Sequence, residues 1–153
     1  MQPDSRLRRF FDQTSIASAL AARGFSRSRL TWTRAGAGVT HVISIQRSQY
    51  SGPESVTFTA NIGVALAEVW RVYHGRELPK VIHEADCFPR FRIGEVMGGF
   101  GSDATDLWWT LTMDDRSGDV ARGVQAAVLD TCIPLLDRLD SVDAVTRFIR
   151  EQA

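Results

Sequence analysis

The chain has 153 residues, 44% hydrophobic and 24% charged, with 18 basic against 18 acidic side chains. This is the make-up of one soluble globular domain, 1–153, able to bury roughly two-thirds of its unfolded surface without a disulfide or a metal. Balanced charge gives no general attraction to nucleic acid or anionic membrane, and no stretch approaches the ~20 apolar residues of a membrane span. No apolar signal-peptide run follows the basic residues near the N-terminus, and Cys87 and Cys132 are too few and too far apart for a disulfide framework, so a cytoplasmic protein with reduced thiols is expected.

In chain order, Leu7, Phe10, Thr14, Ala17, Leu20 and Ala21 recur at helical spacing. They predict one amphipathic N-terminal helix with Asp4 or Ser5 as N-cap and Gly24 just past its end. The period then falls from 3.6 to 2. Leu30 and Trp32 alternate with Thr31 and Thr33, Gly36-Ala37-Gly38 makes a turn, and Ile43 and Ile45 alternate with Ser44 and Gln46, as in two strands of a hairpin. Beyond Ser51-Gly52-Pro53, the residues Val56, Phe58, Ala60, Ile62 and Val64 alternate with Thr57, Thr59, Asn61 and Gly63. That is a strand with one apolar and one polar side, expected of an antiparallel sheet covered on one face only. Ala65 to Tyr73 is read as a short helix and Gly75 to Asp86, with Pro79, as a loop.

The stretch Gly99 to Ala104, G-F-G-S-D-A, formally satisfies the dinucleotide fingerprint, and Asp119 lies about 20 residues on, where a ribose-binding carboxylate is sought. Such a site needs a helix opening at the third small residue so that its amides face the pyrophosphate. Here Leu107, Trp109, Leu111 and Met113 alternate with Trp108, Thr110 and Thr112, which is a strand pattern. With Phe91 and Ile93 alternating with Arg90 and Arg92 on the other side, the glycines are a bend between two extended segments. Gly98 to Asp103 is expected to be exposed and mobile, with no cofactor.

Val120, Val124, Val128, Cys132, Leu135 and Leu139 then mark a helix capped by Ser117 or Asp119 and kinked or divided at Pro134. Asp140-Ser141 starts a last helix with Val142, Val145, Phe148 and Ile149 on one side. The expected fold class is α+β: a single antiparallel sheet of about five strands packed on one face by an N-terminal helix and C-terminal helices.

No constellation in the sequence carries a reaction. His41, His74 and His83 have no metal-presenting spacing, and H-E-A-D-C, His83 to Cys87, is only a near miss of H-E-x-x-H, so no metal is expected. There is no G-x-S-x-G, and Asp114-Asp115 read as solvated residues at a strand end. The Arg6-Arg8-Arg9 cluster reads as a solvated helix face.

What remains is a distributed surface. Strand parity sends Val56, Phe58, Ala60, Phe91, Ile93, Leu107, Trp109 and Leu111 toward the helices. The opposite face shows Ser44, Thr57, Thr59, Thr110 and Thr112 around Gln46, Ser48, Asn61, Arg90, Arg92 and Trp108. A large aromatic and two forked arginines on a polar carpet are residue types enriched in binding hot spots, so these last six are the candidate ligand- or partner-binding residues.

The segments A-A-R-G-F-S-R-S-R-L-T-W-T-R, S-I-Q-R-S-Q-Y-S, V-T-F-T-A-N-I-G-V, C-F-P-R-F-R-I-G-E-V, D-L-W-W-T-L and I-P-L-L-D-R-L-D-S, in that order, resemble those of a bacterial family of stand-alone domains, domain-of-unknown-function family 4304. The resemblance covers nearly the whole chain and is most specific in the Gln-x-Ser strand, the F-T-A-N-I-G strand and the tandem tryptophan. It implies a single α+β domain and assigns no activity or catalytic residue. The functional expectation is a non-enzymatic cytoplasmic module that binds a protein or peptide in a bacterial conflict or regulatory system, without nucleic acid, membrane or cofactor. The alternative is an enzyme or small-molecule binder whose anionic ligand is clamped by Arg90 and Arg92.

Overall fold

The computed structural model describes residues 2–114 and 118–152; Asp115 and Ser117, named above in an acidic pair and as a helix cap, lie outside the described residues. Strands β1 (Ser26–Ser28), β2 (Thr31–Ala35), β3 (Val39–Arg47), β4 (Ser55–Leu66), β5 (Arg90–Arg92) and β6 (Trp109–Thr112) form one sheet. Its order is β1-β2-β3-β4-β5, with β6 also on β4, and every pairing is antiparallel. Helices lie before and after the sheet in the chain, so the fold is the expected α+β class.

The N-terminal helix is two helices, α1 (Pro3–Gln13) and α2 (Ile16–Ala22), which corrects the single helix expected. Thr14 turns its hydroxyl back to the Phe10 carbonyl at 2.7 Å, and Ser15 adopts a left-handed φ of 65°, so the helical ladder is interrupted while the apolar stripe continues. Neither Asp4 nor Ser5 caps α1. Its N-cap is Gln2, and Pro3 opens the helix with a φ already suited to the first turn. Leu7, Phe11, Ile16 and Leu20 are fully buried against Trp32, Ile43, Phe58 and Ile62 of the sheet.

Two elements were not foreseen. β1 is a short edge strand too small to show a period, and α4 (Ile93–Met97) follows β5, so Ile93 reaches the core from a helix rather than a strand. β6 accordingly begins at Trp109 rather than at Leu107. The expected helix near Ala65 is α3 (Ala67–His74), closed by Gly75 at a φ of 66°.

After α5 (Asp119–Ala127), whose N-cap is Gly118, the chain passes through a π-helical turn, Val128–Cys132, into α6 (Ile133–Arg138). The wide turn stands where Pro134 cannot donate to the turn before it, so the expected break takes the form of a π segment. Ser141 caps α7 (Val142–Gln152), accepting the Ala144 amide at 3.1 Å.

One half of the polar sheet face is not open to solvent, a correction to the one-sided cover expected. Val42 and Ala65 point to that face and are buried, because residues 78–87 fold across it with Leu78, Ile82 and Cys87 inward. Gly63 makes the approach feasible: a Cβ there would stand 2.6 Å from the Cβ of Cys87.

Candidate functional site

The open half of the polar face is built by register. Ser44 lies opposite Asn61, Gln46 opposite Thr59, and Asn61 opposite Arg92, which puts Gln46, Asn61 and Arg92 side by side across three strands. The Asn61 amide donates to Gln46 Oε1 at 2.8 Å, locking both side chains flat on the sheet. Arg92 is held at its backbone, where its amide donates to Glu95 Oε2 at 2.7 Å. Its guanidinium carbon lies 5.6 Å from the centre of the Trp108 ring, and its Nε is 3.9 Å from Asp106 Oδ1. Trp108 in turn donates its indole N–H to Asp106 Oδ2 at 2.9 Å.

Four of the six candidate residues, Gln46, Asn61, Arg92 and Trp108, are therefore contiguous. The other two are placed elsewhere. Ser48 belongs to the β3–β4 connection, donating its amide to the Thr57 carbonyl at 2.7 Å and accepting from the Tyr50 amide with its hydroxyl at 3.2 Å. Arg90 sits opposite Gly63 at the covered half, with its Nε 3.8 Å from Glu84 Oε1. Since each arginine faces its own carboxylate, the two do not form one fork. Asp106 was missed by sequence reasoning; the only signal was an acidic residue two positions before Trp108.

Arg92 Nη1 is shut off from solvent and has no hydrogen-bond partner among the described residues. A buried guanidinium donor without an acceptor is costly, a cost set against the contacts of Arg92 with Trp108 and Asp106.

Cys87, Cys132 and His41 are engaged or shielded. Burial pushes the Cys87 thiol up to about 12, helped by Glu84 and Asp86, and burial alone does the same for Cys132. His41 lies on the helix side of the sheet, where its Nε2 is 2.7 Å from the Leu139 carbonyl and its Nδ1 accepts from Arg34 Nε at 3.2 Å. Its pKa is lowered, chiefly by burial, with the Leu139 bond opposing and the Arg34 charge assisting. The H-E-A-D-C segment contains a single 3₁₀ turn, Glu84–Asp86, with the His83 amide donating to Asp86 Oδ2. Among the described residues no group of three His, Cys, Asp or Glu is placed to hold a metal, and no helix is long and apolar enough to cross a membrane.

The fingerprint-like glycines lead from α4 to β6, and the stretch from Gly101 to Trp108 carries no helix whose amides could face a pyrophosphate. From Gly98 to Asp103 the loop is exposed except at Phe100, whose ring packs edge-on to Phe91 and Phe148 at 5.0 and 5.2 Å.

A family model described as a domain of unknown function, DUF4304, matches residues 16–138. The chain belongs to that family. No curated protein and no solved structure matches the chain.

Proposed function

We propose that this domain is a non-enzymatic binding module that recognises a protein or peptide through the open half of its polar sheet face. The observation that supports this reading is the patch Gln46–Asn61–Arg92–Trp108, whose side chains are already held by mutual contacts. Preset side chains lose little conformational freedom on binding, and tryptophan beside arginine is the composition of an interface hot spot. Concavities of about 220 to 710 Å³ elsewhere on the domain are lined by other residues, which favours a macromolecular partner over a small substrate at the patch. Action in the cytoplasm, within a bacterial conflict or regulatory system, is part of the same proposal.

The test compares affinity capture by the native chain with capture by an Arg92→Ala/Trp108→Ala variant, at several salt concentrations, with both proteins shown to be folded. A partner retained by the first and lost by the second is the expected result. Identical capture by both, or no enriched partner at any salt concentration, would count against the proposal.

A further inference from the structure

A second site lies on the same sheet face at the opposite edge. The β1–β2 hairpin and the segment Lys80–His83 line an open cavity of about 520 Å³. Its lining includes Arg27, Arg29, Lys80 and the imidazole of His83, the hydroxyls of Ser28, Thr31 and Thr33, and no carboxylate. Neither Arg29 nor Lys80, the only lysine of the chain, makes an ion pair among the described residues. Arg27 is paired with Asp12, and two further cations, Arg29 and Lys80, converge there without an ion pair, an arrangement suited to an anion.

The backbone gives a second, independent indication. Ser28 pairs with Thr31, so Arg29 and Leu30 form a two-residue hairpin loop, and Arg29 has a φ of 57°. Glycine or asparagine is the residue expected at a positive φ in such a loop, and an arginine there is strained. Strain kept at one residue whose side chain lines a cationic cavity points to use of that side chain.

We propose that this cavity binds a phosphate monoester, with Arg29, Lys80 and His83 around the dianion and the hydroxyl side chains donating to its oxygens. A dianion with three terminal oxygens can engage more cations and hydroxyl donors at once than a single carboxylate. The cavity is larger than a phosphate group alone, and Val81 and Ile82 supply apolar wall for the organic part. That part is either a small free molecule or a phosphorylated side chain of a peptide, and the two share the chemistry of the site. The inference is independent of the Arg92–Trp108 patch, because no residue is common to both.

Calorimetric titrations with phenyl phosphate, with a short phosphoserine peptide and with its unphosphorylated form distinguish the sources. Binding of phenyl phosphate at least as tight as that of the peptide indicates a small free ligand, whereas tighter binding of the phosphopeptide indicates a peptide; either supports the site. Lys80→Ala and Arg29→Gly should each weaken binding about tenfold or more, while Arg8→Ala on α1 leaves it unchanged. Arg29→Gly should also raise the melting temperature, since glycine relieves the positive φ, so its lost binding cannot be laid to unfolding. Absence of binding by any phosphate probe up to about 10 mM, a limit near −3 kcal/mol, would overturn the proposal. Binding that is indifferent to both substitutions would overturn it equally.

Discussion

Trp108 and Trp109 are adjacent in sequence but do different work, and replacing each by alanine separates the two roles. Trp109 opens β6 opposite Phe58, with the ring centroids 5.6 Å apart, and its indole lies against α5 so closely that a Cβ on Gly123 would stand 3.1 Å from Nε1. Truncating a buried tryptophan costs roughly 3–5 kcal/mol, and since Trp109 is only half-buried its loss should be at the lower end, about 3 kcal/mol. Trp108 contributes its contact with Arg92 and one indole bond to an exposed Asp106. At a partly exposed site these come to about 1 kcal/mol. Guanidinium denaturation of both variants beside the native chain reads the difference as a shift of midpoint at constant slope. A loss of about 2 kcal/mol more for Trp109→Ala is expected; equal losses would refute the assignment of the two rings to opposite sides of the sheet.

Gly94→Ala should destabilise by more than about 2 kcal/mol, because its Cβ would stand 2.0 Å from the Thr105 carbonyl oxygen, whereas Gly52→Ala, with open space around it, should be nearly silent in the same denaturation assay. In the fingerprint-like loop, Gly99 and not Gly101 has the positive φ, 64°, so alanine should cost about 1 kcal/mol at Gly99 and less at Gly101, checked by melting temperature. His41 has a folded pKa below its ordinary value of 6.5, so the unfolded chain binds more protons just below that pH, and stability should fall on acidification from about 6.5 by up to ~1.4 kcal/mol per pH unit. His41→Gln should flatten the pH profile of the unfolding free energy, and a profile unchanged by the substitution would show that His41 is not the titrating group. With their thiols near 12, Cys87 and Cys132 should resist a thiol reagent at pH 8 in the native chain and react on unfolding; rapid native labelling would contradict their burial.

How far the sequence disclosed this fold depended on whether one residue pattern had one physical cause. The alternation of Val56 to Val64 had one, burial of a single face, and β4 lies where that pattern put it. The N-terminal stripe had two readings, since a helix interrupted at Ser15 can keep the same apolar face toward the sheet as an unbroken one. Local hydrogen bonding by Thr14 chose between them, and periodicity does not register it. The strand pattern through Phe91 and Ile93 ended early for a similar reason. Ile93 is buried from the first turn of α4, and the close approach of residue 105 to Gly94 is a tertiary contact with no trace in spacing.

The same distinction accounts for the site. Gln46, Asn61 and Arg92 were legible because parity alone puts them on one face, and register then made them neighbours. Parity could not say which part of that face stays open. Val42 and Ala65 are apolar residues on the side read as polar, and together with Gly63 they mark a strip on which another segment must lie. The covering segment, residues 78–87, has neither helical nor strand period; its placement follows from three inward side chains, Leu78, Ile82 and Cys87. Its cover separates Arg90 from Arg92 in role, giving Arg90 to Glu84 and leaving Arg92 to Trp108 and Asp106. The same segment carries Lys80 and His83 to the β1–β2 hairpin. One irregular stretch thus covers the half of the face that holds Arg90 and bounds the cationic cavity, so deleting it should abolish the cavity, and substitution of Ser44 in β3 should reach the cavity through its bond to Thr31.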